Sequence, residues 1–238
     1  MAQPSDQTTF YNHYSKDRPT GLGKRLAASV TKRIFDFAGI REGCSVLEIG
    51  PGRGALANLC LSKGIDYWAI EPNDDMATNL ESKGANVTRS IVPPIPPLGK
   101  TFDVIIMTSV MEHMDTMTQA LEVSENAREM LKEGGRFVLY TPDYPNWGQH
   151  FYIGDFSHSY VTSWRRLKGL LISAGFSDIQ GRYQTSVFTG VFGFLISVFA
   201  SWLPFAQLDI MFPDNRLLGK LYKVQITFLR RVLIMGIK

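Results

Sequence analysis

The run Val46-Leu47-Glu48-Ile49-Gly50-Pro51-Gly52-Arg53-Gly54-Ala55-Leu56 constrains this chain more than any other stretch. An apolar segment carrying one acid passes directly into three alternate glycines, and a helical pattern follows. A buried strand that turns through glycines into a helix lets the backbone approach a ligand that any Cβ would obstruct. The pattern therefore predicts a nucleotide-type cofactor site. It does not choose the cofactor, because Gly50-x-Gly52-x-x-Ala55 also satisfies the dinucleotide fingerprint, which tolerates Ala at its last position.

The surrounding sequence alternates in the same way. Apolar Leu22, Leu26, Val30, Ile34 and Phe37 recur at helical spacing over Leu22 to Ala38, and Gly39 ends the pattern. Strands are expected at Ser45 to Ile49, Tyr67 to Ile70, Val87 to Ile91, Phe102 to Met107 and Arg136 to Tyr140. Helices are expected near Ala55 to Ser62, Asp74 to Ser82 and Thr118 to Leu131. Alternation of this kind implies a parallel sheet with crossover helices. Glu71 closes the second strand, where an acid can accept hydrogen bonds from both hydroxyls of a ribose lying across the strand ends.

With 238 residues, 45% of them hydrophobic, the chain can bury one full core, and no linker, repeat or low-complexity tract divides it. Cys44 and Cys60 flank the glycine turn, too few for a disulfide scaffold or a zinc site, and fit a reduced, cytosolic setting. The start Met-Ala-Gln-Pro-Ser-Asp has no basic stretch leading into an apolar run, so no secretory signal is expected.

Two downstream segments settle the context of the turn. Phe102-Asp103-Val104-Ile105-Ile106-Met107-Thr108-Ser109-Val110-Met111-Glu112-His113 resembles the Phe-Asp, apolar run and Leu-Glu-His segment of class I S-adenosylmethionine (SAM) dependent methyltransferases. Leu131-Lys132-Glu133-Gly134-Gly135-Arg136-Phe137-Val138-Leu139-Tyr140-Thr141-Pro142 resembles their helix, double-glycine turn and fifth strand. The resemblance runs from about Gly39 to Ile179 and is strongest to the branch acting on quinones, lipids and other small molecules. It implies an α/β, Rossmann-like, seven-stranded and mostly parallel sheet with helices on both faces, with an apolar helical insertion before the last strand. It makes a nicotinamide cofactor the weaker reading.

The resemblance also implies S-adenosyl-L-methionine as cofactor, held by Glu48, Gly50, Gly52, Gly54, Glu71, Pro72, Met76, Ser90, Ile91, Thr108 and Ser109. An Asp often follows the third strand in the family; here Arg89-Ser90-Ile91-Val92 stands there, leaving Ser90, or backbone groups and Ile91, to hold the adenine. Tyr11 and Tyr14 are candidates for an N-terminal lid. A later aromatic, polar loop, Phe151 to Tyr160, precedes a helix whose N-cap is Thr162 or Ser163. Tyr144, Trp147, His150 and Tyr152 are the expected substrate contacts, since aromatic walls suit a flat or apolar acceptor. Candidates for acid-base work are His113, His150 and His158, with Asp155 three residues before the last, because imidazole is the side chain best matched to neutral pH; His158 is the preferred base. Histidines and carboxylates are not clustered at ligand spacing, so no metal site is expected.

The C-terminal region is unusual. From Arg182 to Asp209 no charged residue intervenes, and Phe188, Phe192, Phe194, Leu195, Phe199 and Trp202 fall in that span. Roughly 20 apolar residues are needed to cross a bilayer, but Gly190 and Gly193 weaken the helix and Pro204 interrupts it, favouring an interfacial or re-entrant segment. After Asp214 the charges are Arg216, Lys220, Lys223, Arg230, Arg231 and Lys238, although the whole chain carries only +3. A basic helix with the apolar face Leu217, Leu218, Leu221, Tyr222, Gln225, Phe228 and Leu229 is expected to lie in the headgroup plane.

The expected organisation is one domain over 1–238: N-terminal cap helices at 1–38, the core at 39–182, a membrane-associating or substrate-cap insertion at 183–230, and a last strand at 231–238. The expected reaction is O- or N-methylation of a small, lipophilic or lipid-linked acceptor at a membrane surface. Peripheral membrane contact through 188–231, a cytoplasmic location on the inner face and a homodimer interface belong to this reading. Nucleic acid does not, because no basic face spreads over the fold and the fourth strand lacks the signature of base amino-methylation. The alternative is a noncatalytic SAM-binding subunit that docks a membrane enzyme complex.

Overall fold

The computed structural model describes residues 20–238, so Tyr11 and Tyr14 lie outside the described residues. Helix α1 (Gly21–Phe37) starts where the Thr20 hydroxyl accepts the Gly23 N–H, and leads into β1 (Ser45–Ile49). Then follow α2 (Ala55–Ser62), β2 (Asp66–Ile70), α3 (Asp74–Glu81), β3 (Asn86–Thr88), β4 (Phe102–Thr108), α4 (Met117–Met130) and β5 (Leu131–Pro142). The second half contains two short turns, α5 (Tyr144–Trp147) and α6 (His150–Ile153), then α7 (Trp164–Ser173) and β6 (Ser177–Gln184). Three more helices, α8 (Gly190–Ser201), α9 (Phe205–Met211) and α10 (Arg216–Phe228), precede β7 (Arg231–Ile237).

The seven strands are ordered β3-β2-β1-β4-β5-β7-β6, with β7 antiparallel to both neighbours and the others parallel. Both faces are covered, which is why the central strands read as continuous apolar runs. Alternate residues face opposite sides. Leu47, Ile49, Ile105, Met107, Phe137 and Leu139 pack toward α4 and α7, while Val46, Tyr67, Ile106 and Val138 pack toward α1, α2 and α3. Chain order reverses between β1 and β4, and ligands of open α/β sheets bind outside the strand ends at such a switch point.

The expected elements lie within a residue or two of those observed, with three differences. Strand β3 ends at Thr88 instead of continuing to Ile91: the Arg89 guanidinium turns back to α3, bonding Asp74 and Glu81. Strand β5 extends both ways from the expected Arg136 to Tyr140. Strand β6 had no apolar signal because it is an exposed edge, with Ser177-Asp178-Ile179-Gln180 offering one apolar side chain. Ser163, not Thr162, caps α7; the Thr162 hydroxyl is buried and donates to the Pro142 carbonyl at 2.7 Å.

The return from α10 into β7 is fixed by a buried ion pair. Asp143, fully buried at the end of β5, accepts from Arg230 Nε at 2.8 Å, and the Arg230 backbone bonds both Asn146 and Trp147. Removing one partner of a buried pair leaves the other charge uncompensated. Asp143→Ala is expected to destabilise the protein by about 3 kcal/mol or more. Chemical denaturation of both proteins checks this, and a loss under ~1 kcal/mol would mean that solvent reaches Arg230 freely.

Candidate active site

All three glycines of the β1–α2 turn adopt left-handed backbone, with φ of +69° at Gly50, +54° at Gly52 and +72° at Gly54. The positions are not equivalent. A Cβ on Gly50 would stand 2.6 Å from Val110 and one on Gly54 2.5 Å from Leu80, whereas one on Gly52 would meet nothing within 4 Å. Gly50 and Gly54 are held close by packing, while the bare face of Gly52 opens into a cavity of about 1560 Å³. That volume exceeds the roughly 300–1,000 Å³ of an ordinary small-ligand pocket, enough for a cofactor and a second substrate together.

Two buried acids form the floor. Glu71 accepts the Gly52 N–H on Oε2 and the Asn73 N–H on Oε1, both at 3.0 Å. A carboxylate offers about four lone-pair sites, so each oxygen keeps one for a ribose hydroxyl. Glu48 accepts the Tyr67 hydroxyl at 2.6 Å. Burial pushes Glu48 up to about 7, partly countered by the Tyr67 hydrogen bond. Burial also raises Glu71, against the pull of its two backbone donors. Acids kept in so dry a place suit a ligand that brings hydroxyl donors and positive charge. S-adenosylmethionine, with its ribose, ammonium and sulfonium, fits these residues.

Pro72, Met76, Ser90, Ile91, Thr108 and Ser109 line the same cavity. Asn73 caps α3 by accepting the Met76 N–H, which fixes that wall. The Ser90 hydroxyl donates to the Ile91 carbonyl in the position where the family often has Asp. Ser109 holds φ of +53°, uncommon for a residue with a side chain, and such backbone clusters at functional sites.

Across the cavity, the turn Met111–His113 carries Glu112 and His113, and the loop after α6 brings Asp155 and His158 to meet them. The two imidazoles sit edge to face with centroids 4.9 Å apart. His113 Nδ1 lies 2.9 Å from Ser157 Oγ, whose own proton goes to Asp155 Oδ1 at 2.6 Å. Burial, then the nearby His113, pulls His158 down to about 4. The expectation that no histidines and carboxylates cluster is corrected here. Donor atoms of Glu112, His113 and His158 lie within 4.8 Å of one another, because loop packing joins residues 45 positions apart in sequence.

Of the four expected substrate contacts, Trp147 lines the cavity. Tyr144 and Tyr152 meet Phe151 edge to face outside its lining, and His150 is buried against Tyr222 and Gln225 of α10. Arg231 was not anticipated as a site residue. Its guanidinium lies over the Trp147 ring at 4.7 Å and donates to Ser109 Oγ at 3.1 Å inside the cavity. The sequence offered only a basic residue beside an apolar helix. With Arg230 engaged by Asp143, two of the charges expected on a membrane-facing helix point inward instead.

This geometry agrees with the comparisons to known proteins. A methyltransferase-domain family profile matches residues 14–180. A methyltransferase of Encephalitozoon cuniculi is 28% identical over 131 residues, covering 55% of this chain and 59% of that protein. The chain thus spans under two thirds of the length of this relative. In structure it resembles a SAM-dependent methyltransferase from Archaeoglobus fulgidus, with a TM-score of 0.62 at 20% identity over 96% of this chain and 99% of the other. It also resembles a chain in the Haloferax volcanii complex between the Trm112 methyltransferase activator and a methyltransferase, with a TM-score of 0.65 at 14% identity over 99% of both. The chain belongs to the class I SAM-dependent methyltransferases, and S-adenosyl-L-methionine is its cofactor.

Gly52→Arg is expected to abolish SAM binding at a cost to the fold of only about 1–2 kcal/mol, because the new side chain enters the open cradle and not the packed turn, leaving the strain of a side chain at φ +54° as the main penalty. Calorimetry with SAM, alongside circular dichroism, checks this; unchanged affinity would place the cofactor elsewhere. Glu48 gives a pH test. Its folded value near 7 against an ordinary 4.5 means that ionisation penalises folding fully above pH 7 and not at all below pH 4.5. Glu48→Gln should therefore stabilise the ligand-free protein at pH 8 by about 3 kcal/mol, with the gain vanishing near pH 4.5. Thermal melts of both proteins across that range read the difference, and a gain that does not depend on pH would remove the assignment.

Proposed function

We propose that this enzyme transfers the methyl group of SAM to a small lipophilic or lipid-linked acceptor, by O- or N-methylation, while resting on a membrane surface. The observation that carries the reading is the apolar face of α8. It turns Gly193, Ser197 and Ala200 inward and presents Val191, Phe192, Leu195, Phe199 and Trp202 outward, Trp202 being 83% exposed. A contiguous patch of large apolar side chains marks an interaction surface.

The stretch Gly190–Met211 has the length and composition to cross a bilayer. Its geometry favours lying on one. Pro204 separates α8 from α9, and twelve helical residues reach only about 18 Å against roughly 30 Å of hydrocarbon. Asn146 and Gln225 donate to the Ser197, Ala200 and Leu203 carbonyls and pin α8 to the body. Arg216, Lys220 and Lys223 of α10 remain exposed beside the apolar face, suited to anionic headgroups. A cytoplasmic location on the inner leaflet follows from this reading, and nucleic acid plays no part in it.

When bound, SAM supplies a methyl group on a positive sulfonium, open to in-line displacement. The protein's contribution is then positioning and exclusion of water. The glycine turn and Glu71 fix one reactant. Trp147 and Tyr140 give the cavity aromatic walls for the other. His158 Nδ1 lies 2.6 Å from the Phe151 carbonyl, which can only accept, so this nitrogen carries the proton and Nε2 keeps a lone pair. With its affinity for protons reduced, His158 presents that lone pair to the acceptor side of the cavity, with His113 set by Ser157 and Asp155 beside it.

Labelled methyl transfer from SAM into lipid and aqueous extracts tests the acceptor class. Label in the lipid fraction, absent with Gly52→Arg, is the expected result; label only in water would remove the lipophilic acceptor. For the surface, replacing Phe192, Phe199 and Trp202 together by Asp should abolish co-flotation with anionic vesicles without altering SAM affinity. Undiminished flotation would refute membrane contact through α8, and a change from dimer to monomer in light scattering would assign the face to a second copy.

A further inference from the structure

We propose that Glu112, His113 and His158 form a binding site for a divalent transition-metal cation on the acceptor side of the cavity. The first observation is the donor set. One ligand atom from each residue lies within 4.8 Å of the others, and two imidazoles with one carboxylate is a ligand set used by zinc and by iron(II).

The second observation is independent of that clustering. Glu112 is fully buried, and neither carboxylate oxygen has a hydrogen-bond partner from another residue. Its backbone carbonyl accepts the Ser159 and Tyr160 N–H groups, so those donors are taken up by the main chain and not by the carboxylate. Buried polar groups ordinarily find partners, and an orphaned one needs an explanation. Arg231 contributes positive field here, but its guanidinium donates to Ser109 instead.

The hydrogen bonds behind the histidines prepare both as ligands. Ser157 Oγ donates its proton to Asp155, so it can only accept from His113, placing the His113 proton on Nδ1. The Phe151 carbonyl fixes the His158 proton on Nδ1 in the same way. Each ring then presents a bare Nε2. Histidine ligands characteristically donate their other nitrogen to a carbonyl or carboxylate, which sets tautomer and ring direction. Imidazole ligands favour zinc, iron, cobalt or nickel over magnesium or calcium.

Three protein ligands leave coordination positions for an acceptor oxygen. The use of the cation rests on the proposed methylation of a hydroxyl; its binding does not. A cation there lowers the affinity of the hydroxyl for its proton. The proton passes to water, the oxygen–carbon bond forms as the carbon–sulfur bond breaks, and the electron pair of that bond stays on sulfur.

Cobalt(II) alone is the probe, added to the metal-stripped full chain without acceptor and followed by calorimetry and visible absorption. One equivalent is expected to bind with the absorption of a nitrogen-ligated, low-coordinate site. His158→Ala should abolish that absorption, and Ser157→Ala, which touches no ligand atom, should weaken binding by roughly 10–100-fold. SAM affinity, measured on the same samples, should not change in either variant. Absence of cobalt binding with SAM affinity intact overturns the metal site and leaves the methyltransferase reading standing. Cobalt binding that neither substitution weakens also overturns it.

Discussion

The cavity is organised around the hydrogen bond from the Gly52 N–H to the Glu71 carboxylate at 3.0 Å, beside that from the Gly50 N–H to the Ile70 carbonyl at 2.9 Å. It joins the turn after β1 to the end of β2, so the two strand tips that a nucleoside must bridge are already locked together. That bond requires Gly52 to sit at positive φ with nothing on its open side. It also holds the Glu71 carboxyl where burial opposes its ionisation and two backbone donors favour it. Glu48 carries the same burden more heavily. The ligand-free protein thus holds two acids at a cost in stability, and a cofactor bringing hydroxyl donors and positive charge relieves it. A site built this way is strained when empty and settles on binding.

The parts of this fold legible in the sequence were those whose physics is local. The glycine turn, Glu71 and the strands β1, β2 and β4 announce themselves because a doubly covered strand must be apolar throughout and a tight turn must be glycine. Strand β6 did not, because an exposed edge selects no pattern. The histidine pair was named residue by residue, yet its meeting with Glu112 was invisible: His113 and His158 are joined only by the loop after α6. Arg231 misled for a similar reason. The last strand was expected to start at Arg231, but a count of charges says nothing of which way a side chain faces, and Arg231 opens β7 facing the cavity.

The insertion between β6 and β7 links surface to chemistry. Arg33 of α1 donates to the Thr185 and Ser186 carbonyls, and Asp143 holds Arg230, so one end of the insertion is clamped to α1 and the other to the residue that follows β5. Between the clamps, α10 has two faces with different duties. Ile226 and Thr227 line the cavity, while Gln225 reaches the carbonyls that end α8. The helix that carries the exposed apolar face is therefore bonded to the helix that forms a wall of the reaction chamber.

That coupling bears on how an acceptor would arrive. If α8 only covered the sheet, its large side chains would face inward and its small ones outward, the arrangement that burial favours. The reverse is observed: Gly193, Ser197 and Ala200 make the close packing, and Phe192, Phe199 and Trp202 face out. Small residues bring the helix axis near the body, so its bulky face stands as a shallow ridge beside the chamber wall and not as a detached arm. A ridge seated in headgroups would hold that wall at the level of the bilayer interface. A lipophilic acceptor could then pass from the membrane to the cavity over a short path, which an anchor on a flexible tail would not secure.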